Sequence, residues 1–143
     1  MRTILATIVA MTLAVGVSAE CPGLLPPCEA LGRASIVFVG DVIVAGPFER
    51  QVGPDRLEYV PQPVRFRVIE RFKRVREEQK AIDASVTFDI EGTQFVSGQR
   101  FVVYASVAPD GTWGTACSRT GTIKQRPEDV REPRLCKSQL TIS

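Results

Sequence analysis

The sequence predicts a small, mainly β domain: a five-stranded barrel with a short helical turn before it and a helix after it. Three observations lead there. Five short runs rich in β-branched and aromatic residues recur along the chain. Glycine- and proline-rich segments separate them. A length of 143 residues leaves room for one core rather than two.

The first segment stands apart from that domain. Arg2 precedes the apolar run ILATIVAMTLAVGV, from Ile4 to Val17. A short positive start, an apolar core of this length and then small residues are the pattern of a secretory signal peptide. The run is shorter than the ~20 residues that a helix needs to cross a bilayer. Val17 and Ala19 place small residues where a signal peptidase reads, so residues 1–19 are expected to be removed. Residues 20–143 then form the mature domain, beginning Glu20-Cys21-Pro22. Lipidation at Cys21 would need a small residue before the cysteine, and Glu20 is bulky and charged. Removing Arg2 leaves 17 basic against 16 acidic residues, close to neutral. A secreted or periplasmic chain with no integral membrane segment after processing is expected.

Composition excludes several chemistries. The chain has no histidine. It therefore has no Ser-His-Asp triad, no Cys-His pair and no imidazole zinc ligand. All four cysteines, Cys21, Cys28, Cys117 and Cys136, fall in the mature part. An exported chain with an even cysteine count reads as a disulfide framework. A zinc knuckle or a thioredoxin-like site needs closely spaced pairs such as C-x-x-C, and none is present. Neither a metal nor a cofactor is expected. Two early and two late cysteines point to bridges between the N-terminus and the C-terminal half, with three pairings open.

The elements follow in order. Residues 28–32 suit one helical turn. Residues 36–44 (IVFVGDVIV) are apolar on both faces and read as a central strand, with Gly40 marking a bulge. Residues 46–63 hold four prolines and two glycines and read as a long loop, with a short strand near residues 57–59. Residues 64–75 (VRFRVIERFKRV) alternate. Val64, Phe66, Val68 and Phe72 point inward with Glu70 the exception, and Arg65, Arg67, Arg71 and Lys73 point outward. A charged turn over 77–83 leads to a strand at 85–90, with Val86, Phe88 and Ile90 inward. Residues 100–107 form the fourth strand. The Pro109-Asp110-Gly111 turn joins it to a fifth over 112–117. A helix starts near Pro127-Glu128-Asp129, and Pro133 limits its length. The natural five-stranded candidate is the OB-fold.

The outward row Arg65, Arg67, Arg71 and Lys73, followed by Arg74 and Arg76, is a candidate anion-binding face. Against it, the row lacks the exposed aromatics that stack bases. A hairpin about residue 80 would set Arg71 opposite Asp89 and neutralise part of the row. Carboxylates at Asp41, Glu70 and Asp89 are scattered and form no readable acid/base pair, so an enzyme is not expected.

In order along the chain stand Cys28, IVFVGDVIV, VRFRVIERFK, F-x-x-G-Q-R-F-V-V-Y-A (Phe95 to Ala105) and D-G-T-W-x-T-x-C-S (Asp110 to Ser118). From Cys21 to about Cys136 this series resembles the netrin-like domain, shared by the tissue inhibitors of metalloproteinases and bacterial proteins similar to them. The resemblance implies an OB-type barrel with Cys21 paired to Cys117 and Cys28 to Cys136. The family's further bridge is missing as a unit. No cysteine lies at Gly92-Thr93-Gln94, and Cys21 is followed by Pro22-Gly23 rather than by a second nearby cysteine.

The animal inhibitors chelate the catalytic zinc through the free α-amine and carbonyl of an N-terminal cysteine. Here Glu20 precedes Cys21, which makes the Cys21 nitrogen an amide and a poor metal ligand. The functional expectation is an exported, disulfide-bonded, non-enzymatic binding module with a protein partner. The alternatives are a metalloproteinase inhibitor acting through Glu20, Cys21 and Pro22, or a binder of anionic polymers through the basic row. N-terminal sequencing of the exported protein is expected to return Glu20 followed by Cys21. A start at Cys21 would instead supply the free amine that zinc chelation needs.

Overall fold

The computed structural model describes Cys21, residues 23–87 and residues 92–140. The expected signal segment, Glu20, Pro22, Phe88, Asp89 and Ile90 lie outside the described residues.

Five strands close into a barrel. Strand β1 (Ile36–Ala45) pairs antiparallel with β4 (Gln62–Lys73) on one side and with β6 (Arg100–Val107) on the other. Strand β4 continues to β5 (Ala81–Val86), and β5 meets β7 (Trp113–Gly114) in parallel at Val86 and Trp113. Strand β7 returns antiparallel to β6, which completes the circuit. Counting only the barrel strands, the spatial order is first, second, third, fifth, fourth: the OB-fold arrangement. A short β8 (Gly121–Thr122) adds to β6. Helix α1 (Pro27–Arg33) precedes the barrel and α2 (Glu128–Leu140) follows it.

The uninterrupted apolar character of β1 has a direct cause: both of its faces are buried. Phe38 and Val42 join the barrel interior with Phe66, Phe95, Phe101 and Trp113. Those rings meet mostly edge to face, with centroids 5.3 Å apart for Phe38 and Phe66, 5.1 Å for Phe66 and Phe95, and 4.9 Å for Phe95 and Phe101. Val37 and Val39 face the other way. They form a second core with Leu31 of α1, Cys136 of α2 and Tyr104 of β6. A strand covered on one side only would alternate, as β4 does.

Gly40 lies where β1 coils. The register with β4 shifts between Val39 and Gly40. A Cβ at this position would come within 2.9 Å of the Phe38 ring and 3.3 Å of the Arg67 carbonyl oxygen. The bulge therefore brings backbone and ring closer than any side chain permits.

Several sequence expectations shift. Strand β4 ends at Lys73 rather than at 75, because Arg74 turns into the left-handed region at φ 54°. The third barrel strand lies at Ala81–Val86, earlier than expected, and residues 81–83 belong to it rather than to a turn. Ile82, Ala84 and Val86 are its inward positions. In that register Arg65 faces Asp83 and Arg67 faces Ala81, so the chain turns well before residue 80 and Arg71 lies beyond the pairing with β5.

The long loop over 46–63 contains a two-stranded hairpin, β2 (Glu49–Gly53) with β3 (Arg56–Tyr59), braced by Phe48 stacked on Tyr59. The fifth barrel strand pairs over two residues only. Pro133 does not stop α2. Its ring is fully buried, and the helix beyond it is held by the Cys136 bridge and by Arg134 paired with Glu70.

The Gly40→Ala substitution is expected to destabilise the fold by about 1–3 kcal/mol, as overpacking does. Urea denaturation followed by tryptophan fluorescence checks this, the midpoint falling with little change in slope.

Candidate functional site

The two bridges join the chain's ends across the barrel. Cys21 pairs with Cys117, 96 residues away, with Cα atoms 5.3 Å apart. Cys28 pairs with Cys136, 108 residues away, with Cα atoms 5.5 Å apart. Both Cα separations are typical of disulfides, and both pairings are those the netrin-like resemblance implies. The first bridge fastens the N-terminal segment to the loop after β7, where Cys117 holds a left-handed φ of 54°. The second fastens α1 to α2.

Next to Cys117 lies a buried polar network. Asp129 in the first turn of α2 is 0% exposed. Arg119 meets it with two hydrogen bonds, Nε to Oδ1 at 2.6 Å and Nη2 to Oδ2 at 2.8 Å. The Tyr104 hydroxyl donates to Oδ1 at 2.9 Å. Arg119 also donates to the Leu25 carbonyl oxygen at 3.0 Å and to Glu128 at 2.9 Å. Burial, reinforced by the Asp129 charge, pushes the Tyr104 hydroxyl far above its usual range. Hydrogen bonding to Asp129 raises Arg119 further still. Tyr104 is therefore held in its neutral form and Arg119 in its charged form. A small cavity of about 200 Å³ beside this network is lined by Leu25, Ala30, Tyr104, Cys117 and Arg119, among others.

The basic row is taken up by structural partners. Arg65 faces Asp83 at 3.5 Å. Arg67 donates to Asp41 at 2.8 Å. Arg71 donates to the carbonyl oxygens of Arg76 and Gln79 at 2.9 and 2.5 Å, which braces the turn after β4. Lys73 does not point freely outward. Its ammonium donates to the carbonyl oxygens of Leu31, Gly32 and Ala34 at 2.9, 2.9 and 2.6 Å, capping the C-terminal end of α1. The strand alternation places Arg65 and Arg67 outward, as found, whereas Arg71 and Lys73 are half-buried against partners it could not reveal, in the turn after β4 and in α1.

The strand carboxylates are occupied as well. Asp41 sits on β1 between Arg67 of β4 and Arg100 of β6, in register with both. Arg100 reaches it at 2.6 and 3.0 Å. The Glu70 carboxylate accepts from Nε and Nη2 of Arg134, one oxygen to each. Asp89 lies outside the described residues.

A cleft of about 640 Å³ was not anticipated from the sequence. It lies over the outward positions Val44, Pro63, Arg65, Asp83 and Ser85, with Asp110 at its rim. The turn motif Pro109-Asp110-Gly111 and the outward Arg65 marked parts of its wall beforehand.

Compared with known protein families and with characterised proteins, the sequence matches none. Among the described residues no helix is long and apolar enough to cross a membrane. The two disulfides are compatible with a chain that folds outside the reducing cytosol.

The hydrogen bonds of Arg100, joined by those of Arg67, outweigh partial burial and hold the Asp41 carboxyl at about 2 against an ordinary 3.8. A carboxyl depressed in the folded state contributes stability above its unfolded value and loses it as pH falls through the folded one. Stability is therefore expected to decline between about pH 4 and pH 2. An Asp41→Asn variant, less stable at neutral pH, is expected to show a shallower decline across that window. Thermal unfolding measured across the acid range checks the difference.

Proposed function

We propose that this chain is an exported, non-enzymatic binding module of the netrin-like type, released into the periplasm or medium by removal of residues 1–19. The observation that carries the reading is the pair of bridges, Cys21 with Cys117 and Cys28 with Cys136, on a barrel of OB order. That combination agrees with the motif order from Cys28 to Ser118. The polar clusters at Asp41, Glu70 and Asp129 are each closed by arginines, which supports a scaffold that presents a surface rather than one that performs chemistry.

A second reading, inhibition of a metalloproteinase, is favoured by one specific feature. Cys21 is only half-buried, and its bridge holds the N-terminal segment at the barrel surface. The chemistry of the amine separates the two readings.

Immobilised oxidised protein beginning at Glu20 is expected to retain a protein partner from its own envelope extract, saturably and in competition with free domain. Failure to retain anything that free domain displaces would count against the module. In a peptide-cleavage assay with a zinc metalloproteinase, protein beginning at Glu20 is expected not to inhibit. A protein beginning at Cys21 is the form in which the second reading requires inhibition.

A further inference from the structure

We propose that the cleft on the outer face of β1, β4 and β5 is the binding site for an extended, positively charged segment of a partner polypeptide. The proposal rests on the binding-module reading and assigns it a surface and a class of partner.

The first argument is position. The cleft lies over the second and third strands of the barrel circuit, β4 and β5. Gly46, at the root of the segment joining the first and second barrel strands, lines one end. The turn Asp110-Gly111-Thr112, which joins the fourth and fifth, lines another. In OB-folds this face, between these two connections, is where chain-like ligands lie. Its volume of about 640 Å³ is within the range of ligand sites.

The second argument is charge. The lining carries one cation, Arg65, and two carboxylates, Asp83 and Asp110. Arg65 already faces Asp83 at 3.5 Å, so Asp110 leaves the cleft negative. The Asp110 position is fixed by its own turn, since its Oδ1 accepts the Thr112 amide at 3.0 Å and the Thr112 hydroxyl at 2.7 Å. Those bonds also hold the carboxyl below its usual range, so it stays charged. A negative site repels phosphate and sulfate polymers. No aromatic side chain lines it, so neither a base nor a sugar ring has a surface to stack on. Both features weigh against the ligands OB faces usually take and favour a cation.

The third argument is backbone. Among the described residues β5 pairs with β4 along its length but meets β7 only at Val86. Its edge before that point therefore has no strand partner. Asp83, Ala84 and Ser85 line the cleft on this side, and the Asp110 turn lines the other. An extended polypeptide fits such a site by strand addition. Its apolar side chains would rest on Val44, which is 55% exposed, and on Pro63. Its lysine or arginine would reach Asp110 and Asp83.

The test is an amide NMR titration of the oxidised protein with two capped five-residue peptides. One alternates valine with lysine, the other valine with glutamate. The lysine peptide is expected to shift amides at 44–46, 64–65, 83–85 and 111–112, and to bind at least tenfold more tightly than the glutamate peptide. The Asp83→Asn/Asp110→Asn variant keeps an oxygen acceptor for Thr112 and therefore the turn. It is expected to lose at least tenfold in affinity for the lysine peptide, with an otherwise unchanged spectrum. Equal binding of both peptides, shifts confined to other surfaces, or unchanged affinity in the variant would overturn the proposal. If the immobilised protein still retains a displaceable partner in those cases, the cleft assignment falls and the binding module stands.

Discussion

Asp129 is a carboxylate with no exposure to water, and the arrangement around it decides how the rest of the molecule is held. A buried charge is tolerated only when it is paired and hydrogen-bonded. Arg119 and Tyr104 supply that pairing from the loop after β7 and from β6. Because Arg119 also binds the Leu25 carbonyl, one guanidinium gathers the N-terminal segment, α2 and the barrel at a single point. Removing one partner of such a pair costs roughly 3–5 kcal/mol, since the other charge is left uncompensated. The Cys21–Cys117 bridge lies two residues from Arg119. The sulfur link and the salt bridge thus constrain the same segment, one covalently and the other by direction.

Much of the architecture was legible because burial leaves a local trace. β1 reads as a strand covered on both faces, and Val37 and Phe38 do enter different cores. β4 reads as a strand covered on one face, and its alternation holds from Gln62 through Val68. Elements whose stability comes from elsewhere were less legible. The hairpin over residues 49–59 is mostly exposed and depends on cross-strand contacts such as Phe48 with Tyr59. β7 is two residues long and owes its place to closure of the barrel. α2 continues past Pro133 because contacts remote in sequence hold its second half. The buried network was invisible for the same reason. Nothing near Arg119 or Asp129 in the chain distinguishes them from surface residues.

The basic side chains show how composition and surface chemistry separate. A row of four cations on one strand reads as a positive stripe. In the folded chain Lys73 closes a helix end, Arg71 braces a turn and Arg67 joins Arg100 around Asp41. Arg67 and Lys73 thus tie β4 to β1 and to α1, while Arg71 fixes the turn that follows its own strand. In the cleft beside them, Asp83 and Asp110 outnumber Arg65.

The overlap of the two bridges has a further effect. One spans residues 21–117 and the other residues 28–136, so every peptide bond from 21 to 136 is bracketed by at least one of them. A single proteolytic cut anywhere in that interval, including the exposed hairpin over 49–59, leaves both fragments covalently joined. Such a nick does not release either half of the molecule.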